Sequence, residues 1–284
     1  MAKRLKFKKQ QNLINLKEEY INLIELNTLD EYKNQNTKKQ KIVAKTKKQQ
    51  DLLNALENDK KPIVIVTGPA GTGKTMISTS YAIESLEKGK YQKIVICRPN
   101  IAVDDRDIGY LPGNILEKMA PWTKPFEDIF LEYYKKSEYI KMLEEGTIEI
   151  VPLAYIRGRT FKNSFVIIDE AQGTTPNSIL SILTRIGENS KYVITGDLKQ
   201  SDFINTNGLF DLIEKIENRE LKYIEHIKFS KDDIQRHPAI KEILDIYDGV
   251  ITDEYYEEKQ ENKNKINKIN KNGFNAHNLP NFLK

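Results

Sequence analysis

Cysteine is nearly absent from this 284-residue chain. A single thiol, Cys97, cannot close an internal disulfide, which fits a reducing cytosol. Histidine is scarce too: three residues lie scattered along the chain, and no metal-binding cluster or Ser-His-Asp arrangement can be assigned from them. No stretch approaches the roughly 18 consecutive apolar residues of a membrane span. The basic N-terminus is not followed by a long apolar segment, so no secretory signal is expected. Together these absences lead to an expected cytoplasmic location with no membrane partner. Charge of one sign is barely in excess: Lys+Arg number 45 against 41 Asp+Glu, a net charge of +4. That balance neither requires nor excludes a nucleic-acid partner. The excess is local, since the first ten residues carry Lys3, Arg4, Lys6, Lys8 and Lys9 with no acid among them. Lys, Asn and Ile are abundant, a bias expected of an AT-rich bacterial or bacteriophage genome.

Composition divides the chain into three regions. Residues 1–45 are charged, with an apolar stripe at Leu13, Leu16, Tyr20, Leu23 and Ile24. That spacing predicts one face of a helix, packed on the main domain or on a neighbouring subunit. Residues 46–252 alternate short apolar runs with helical patterns. The runs are "PIVIV" (62–66), "KIVIC" (93–97), "FVIID" (165–169), "YVITGD" (192–197) and "YIEHIKF" (223–229). Four of them are almost continuously apolar, as strands buried on both faces must be. Amphipathic segments such as 74–89 and 176–187 lie between them, so the pattern predicts a three-layer α/β domain with a mostly parallel sheet. Residues 253–284 are rich in Lys, Asn and Glu and read as a mobile tail.

"VTGPAGTGKT" (66–75) carries the first chemistry. From Gly68 to Thr75 it fits G-x-x-x-x-G-K-S/T, after a buried strand and before a helix, which is the context a phosphate cradle needs. Gly68, Pro69, Ala70, Gly71, Thr72 and Gly73 would wrap the phosphates with backbone N–H groups. Lys74 would reach the β- and γ-phosphates, and the Thr75 hydroxyl would ligate Mg²⁺. The bland alternative is a chance Gly-rich turn.

"FVIIDEAQ" (165–172) supplies a second part. Asp169, at a strand end, is placed to hold Mg²⁺ through water. Glu170 follows where the chain begins to turn, so it can face the γ-phosphate and polarise an attacking water. The pair points to a hydrolysing ATPase; the alternative is an ordinary solvated strand end. "TGDLKQ" (195–200) is the third part. Asp197 lies 28 residues after Asp169, about one βαβ repeat, which predicts neighbouring strands opening on one crevice. Gln200 would then report the γ-phosphate, unless the segment is only a polar turn around Gly196. "YIRGRT" (155–160) offers Arg157 and Arg159 as a phosphate clamp and Tyr155 as a stacking platform. The alternative is an arginine pair bonding carboxylates within the domain.

These stretches occur in order with "RPN" (98–100), "GYLPG" (109–113) and "DIQRHP" (233–238). Together, over roughly residues 46–250, they resemble the PhoH family of P-loop ATPases. The resemblance implies a single RecA-like core related to superfamily 1 helicases, with ATP and Mg²⁺ as cofactors. It implies a Gln ahead of the cradle that reads adenine, at Gln49 with Gln50 as rival. It also implies a γ-phosphate contact at Arg236, acting within the chain or on a neighbour's nucleotide in an oligomeric, commonly hexameric, ring. The alternative for Arg236 is a helix N-terminal residue packed beside His237 and Pro238. Some relatives carry a fused PIN-type nuclease domain, and none is legible here.

Two features depart from the family pattern. Gly173 stands where the family usually has Asn, and the loop after Arg98 carries Asp104, Asp105, Arg106 and Asp107, acid that would repel phosphate. The expected function is therefore an ATP-hydrolysing, RNA-helicase-like protein acting on single-stranded RNA or DNA as a homo-oligomer. The competing reading is a nucleotide-gated scaffold with slow hydrolysis. A small-molecule kinase fits worst, because no acceptor-binding lid is visible.

Overall fold

The computed structural model describes residues 42–99, 115–156, 158–199, 207–240 and 242–244, together with Asn15, Glu18 and Ile21. Six strands form one sheet: β1 (Ile63–Thr67), β2 (Lys93–Arg98), β3 (Ile148–Pro152), β4 (Ser164–Ile168), β5 (Lys191–Gly196) and β6 (Ile224–Lys228). Their order is β3-β2-β4-β5-β1-β6, and every pairing is parallel. The helices are α1 (Lys47–Glu57), α2 (Lys74–Glu87), α3 (Ile115–Tyr133), α4 (Lys136–Glu145), α5 (Leu153–Ile156), α6 (Pro176–Leu183) and α7 (Gly208–Ile216).

Alternation along each strand builds two cores. Val64 and Val66 of β1, with Phe165 and Ile167 of β4, face a layer of α1 to α4 that includes Leu52, Ile77, Phe130 and Tyr139. Ile65, Val166, Ile168 and Ile194 face the opposite layer, where Ile179, Ile182 and Leu209 meet them. A strand sandwiched this way has no polar face, which is why these runs read as continuously apolar. The three-layer α/β architecture is the one the sequence predicts.

Strand β3 has no counterpart among the sequence-based strands. It lies at the sheet edge, and Glu149 sits mid-strand, so it lacks the continuous apolar signature of its neighbours. Asn15, Glu18 and Ile21 are helical, and Ile21 is buried in the first core. The stripe at Leu13, Leu16, Tyr20, Leu23 and Ile24 lies outside the described residues, as does the tail, 253–284.

The chain divides into two compact units, Met1–Gln235 and Arg236–Lys284. In the second, residues 238–240 and 242–244 are helical. His237 opens the first of these segments: its carbonyl accepts the Ile240 N–H at 2.9 Å and its Nδ1 accepts the Ala239 N–H at 3.2 Å. Among the described residues no helix is long and apolar enough to cross a membrane.

Candidate active site

The parallel strands all end on one edge, and the polar residues gather there. β1 runs into the cradle. Gly68 has φ +143°, and a Cβ at this position would lie 2.6 Å from the Phe229 Cβ and 2.7 Å from its carbonyl oxygen. Only glycine satisfies both the left-handed backbone and the close approach. Gly73, at φ 89°, turns the chain into α2. Between them, Gly71 also has a positive φ, its carbonyl accepts the Gln235 N–H at 2.9 Å, and the Thr72 hydroxyl donates to the Pro69 carbonyl. Ala70, at the apex, is exposed. Lys74 folds back over the loop, its Nζ donating to the Gly68 and Pro69 carbonyls at 2.6 and 2.7 Å.

Gln49 and Gln50 part company. Gln49 is buried on α1; its Nε2 donates to the Thr72 carbonyl at 3.0 Å, and its Oε1 accepts the Lys45 N–H at 2.8 Å. The Gln50 amide is exposed and bonds Asn54 along the helix. Gln49 is thus the one against the cradle.

β4 ends at Ile168, and Asp169 follows, buried behind the cradle. The Thr75 hydroxyl donates to Asp169 Oδ1 at 3.0 Å, and the Thr195 hydroxyl of β5 donates to the same oxygen. Burial is the main reason the Asp169 carboxyl is held above the usual carboxylate range; the Thr195 hydroxyl opposes it, neighbouring Glu170 adds to it, and Arg98 and Thr75 oppose it. Among the described residues no cationic group donates a hydrogen bond to this carboxylate. The pairing of one hydroxyl and one carboxylate oxygen, both hard donors, fits Mg²⁺. Thr75 and Asp169 would hold that ion, which when bound neutralises charge on the β- and γ-phosphates.

Glu170 departs from the strand. Its φ of 54° and ψ of 42° put it in the left-handed region, capping a 3₁₀ turn at Ala171–Gly173. That backbone, costly for a residue with a Cβ, rotates the second acid out of the strand's alternation, as the sequence predicts for a chain beginning to turn. Arg98, at the end of β2, pairs with Glu170 Oε1 at 3.1 Å. The Gln172 amide donates to Glu170 Oε2, and its carbonyl accepts the Asp197 N–H at 3.1 Å. Neither role of Arg98 or Gln172 is assigned from sequence; both lie in quoted motifs, but spacing alone does not tell which side chains meet.

β5 pairs with β4, so Asp197 opens on the same crevice as Asp169, as predicted. Burial raises the Asp197 carboxyl; the Lys199 N–H, at 3.0 Å from Oδ1, and the Lys74 ammonium oppose it. Gln200 lies outside the described residues, as do Arg157 and the acidic residues at 104–107.

Arg159 and Tyr155 are engaged within the first unit. Arg159 forks onto Glu149, Nη1 to Oε1 at 2.5 Å and Nη2 to Oε2 at 2.8 Å, and its guanidinium lies 4.7 Å from the Phe161 ring centre. For Arg159 this contact matches the intradomain alternative. Burial would raise Glu149, but the Arg159 fork and Lys93 outweigh it and hold the carboxyl low. Tyr155, on α5, is half-buried against the first core. Arg236 belongs to the second unit, where its side chain is exposed.

A family model described as PhoH-like protein matches residues 41–248. A PhoH-like protein of Synechocystis sp. is 35% identical over 218 residues, covering 75% of this chain and 64% of its own. Protein PhoH of Escherichia coli K12 is 38% identical over 210 residues, covering 72% of this chain and 58% of its own. The chain therefore spans less than two thirds of either relative. A solved structure of the DUF1998 helicase MrfA bound to DNA aligns with a TM-score of 0.39 at 14% identity, over 64% of this chain and 25% of that one. A likeness that loose carries no functional argument. The family match, over most of the chain and every motif on the crevice edge, is sufficient: this chain belongs to the PhoH-like family of P-loop proteins.

Proposed function

We propose that the protein binds ATP with Mg²⁺ and hydrolyses it. The observation that carries this reading is the Thr75–Asp169 hydrogen bond with Glu170 turned out of β4 beside it. Thr75 and Asp169 hold the metal, Lys74 leaves the loop carbonyls for the γ-phosphate, and the loop N–H groups hold the remaining oxygens. Glu170 takes a proton from the water as its oxygen bonds to the γ-phosphorus and the bond to the bridging oxygen of ADP breaks. Gln49 fixes the cradle from the adenine side, and Gln200 reads the γ-phosphate.

We further propose that hydrolysis serves a single-stranded RNA or DNA partner, and that the working form is a homo-oligomeric ring in which Arg236 completes a neighbour's site. Family membership supports this. Arg159 is not proposed as a backbone clamp, because Glu149 already engages it. Tyr155 and Arg157 remain candidates for the polymer side.

ATPase rates measured with and without RNA and single-stranded DNA, at several salt concentrations, test this. Stimulation that falls with salt marks phosphate-backbone contact. Rates indifferent to both polymers favour the second reading, a nucleotide-gated scaffold. That reading draws on Gly173, which presents no side chain beside Pro99 where the family usually has Asn.

A further inference from the structure

We infer that Arg98 is a positioning residue for Glu170, gripping one carboxylate oxygen while Gln172 grips the other. This rests on Glu170 being the base that takes the water's proton.

β2 and β4 are neighbours in register, with Cys97 opposite Ile168, and the Asp169 N–H donates to the Cys97 carbonyl at 2.9 Å. Arg98 therefore arrives beside the Asp169–Glu170 corner. Its Nη2 reaches Glu170 Oε1 at 3.1 Å, and its Nη1 donates to the Trp122 carbonyl of α3 at 3.2 Å. The second hold is as well fixed. The Gln172 carbonyl accepts the Asp197 N–H, so its amide nitrogen must face Glu170 Oε2. With the backbone locked in the left-handed region, the carboxylate plane is set from three sides. Each carboxylate oxygen keeps a further lone pair for a water.

A pair kept only for stability would look different. Glu170 and Arg98 side chains are 37% and 23% exposed, and ion pairs this accessible to water contribute little to folding. Arg98 Nε is buried and has no acceptor among the described residues, an arrangement native proteins seldom leave unexplained. Glu170 adds a backbone conformation that side chains avoid. The unmatched guanidinium nitrogen and the strained backbone are two unfavourable features at the one carboxylate that must be aimed, as support around a reacting group requires. Because Arg98 also holds the Trp122 carbonyl, the setting of α3 bears on that aim.

The test is steady-state and single-turnover ATPase of the full chain carrying Arg98→Gln, Arg98→Lys, Glu170→Gln, or Arg98→Gln with Glu170→Gln. Arg98→Gln is expected to lower kcat about 100-fold, the scale of a reacting group misplaced by an ångström, with KM for ATP within about twofold. Arg98→Lys keeps the charge and recovers part of that loss. The double variant is no slower than Glu170→Gln alone, since groups acting as a unit are not additive. If Glu170→Gln abolishes turnover while Arg98→Gln and Arg98→Lys both match wild type, Arg98 has no positioning role. Losses that multiply in the double variant also overturn it. If Glu170→Gln itself turns over normally, the reading of the site fails first and the inference falls with it. Arg98→Lys, the milder change, keeps the test decisive should Arg98→Gln not fold.

Discussion

Asp169 sets the terms at the scale of single residues. It is a buried carboxylate touched, among the described residues, by two hydroxyls and by no cationic hydrogen-bond donor. Asp169→Asn should weaken Mg²⁺-dependent ATP binding about tenfold to a hundredfold, the loss of a charge-assisted contact of about 1.5–3 kcal/mol, read by calorimetry with and without the metal. Because burial raises this carboxyl, Mg²⁺–ATP affinity should decline on acidification at higher pH than an ordinary aspartate, of pKa about 3.9, would allow. Glu149 works in the opposite sense. Its carboxyl is held low when folded, so its contribution is present above its unfolded value of about 4.3 and lost as pH falls through the folded value. Arg159→Met should therefore cost about 1.5–3 kcal/mol in thermal melts at neutral pH and shrink the acid-side slope, leaving polymer affinity unchanged. The candidate cradle and metal-holding residues were legible because a phosphate cradle demands particular residue types at fixed spacing. Arg98, Gln172 and Glu149 were not, because which side chains meet depends on the strand order, which no local spacing encodes.

At the scale of elements, the cradle and its flanks form one packed unit. The Gly68 N–H donates to the Gly196 carbonyl, and Phe229, just after β6, closes against Gly68. Gly68→Ala combines a disfavoured φ with a clash against backbone. It should destabilise the domain by at least the roughly 1–3 kcal/mol of a strained left-handed residue, and the melt should show no rescue by Mg²⁺–ATP. The far end of α1 is tied down as firmly. Lys191 is buried and donates to the Ala55, Leu56 and Asn58 carbonyls at 2.6–3.0 Å. Lys191→Met removes that donor, leaving Asn58 only the Lys61 N–H, and exchange of α1 amides should speed up, loosening Gln49 with them. Central strands announced themselves as unbroken apolar runs, whereas the edge strand β3 was hidden by Glu149, which answers Arg159 and Lys93 rather than the core.

At the scale of the whole molecule, the described residues form one sheet with the candidate nucleotide crevice at its edge. If Arg236 completes a neighbour's site, light scattering in Mg²⁺–ATP should report a multiple of the monomer mass, six under the ring reading. Arg236→Ala mixed with Lys74→Ala should then regain activity that neither has alone; mixing without recovery would place Arg236 in its own chain's chemistry or outside it. The most direct measurement is phosphate release from Mg²⁺–ATP by the wild-type chain and by Glu170→Gln, with ATP affinity measured in parallel. A base that takes the water's proton is worth about 10²–10⁴ in rate. Wild type should release phosphate only with the metal, Glu170→Gln should lose activity of that order, and its ATP affinity should stay within about threefold of wild type. Equal release by the two proteins, or none from wild type with or without RNA and single-stranded DNA, would contradict that expectation.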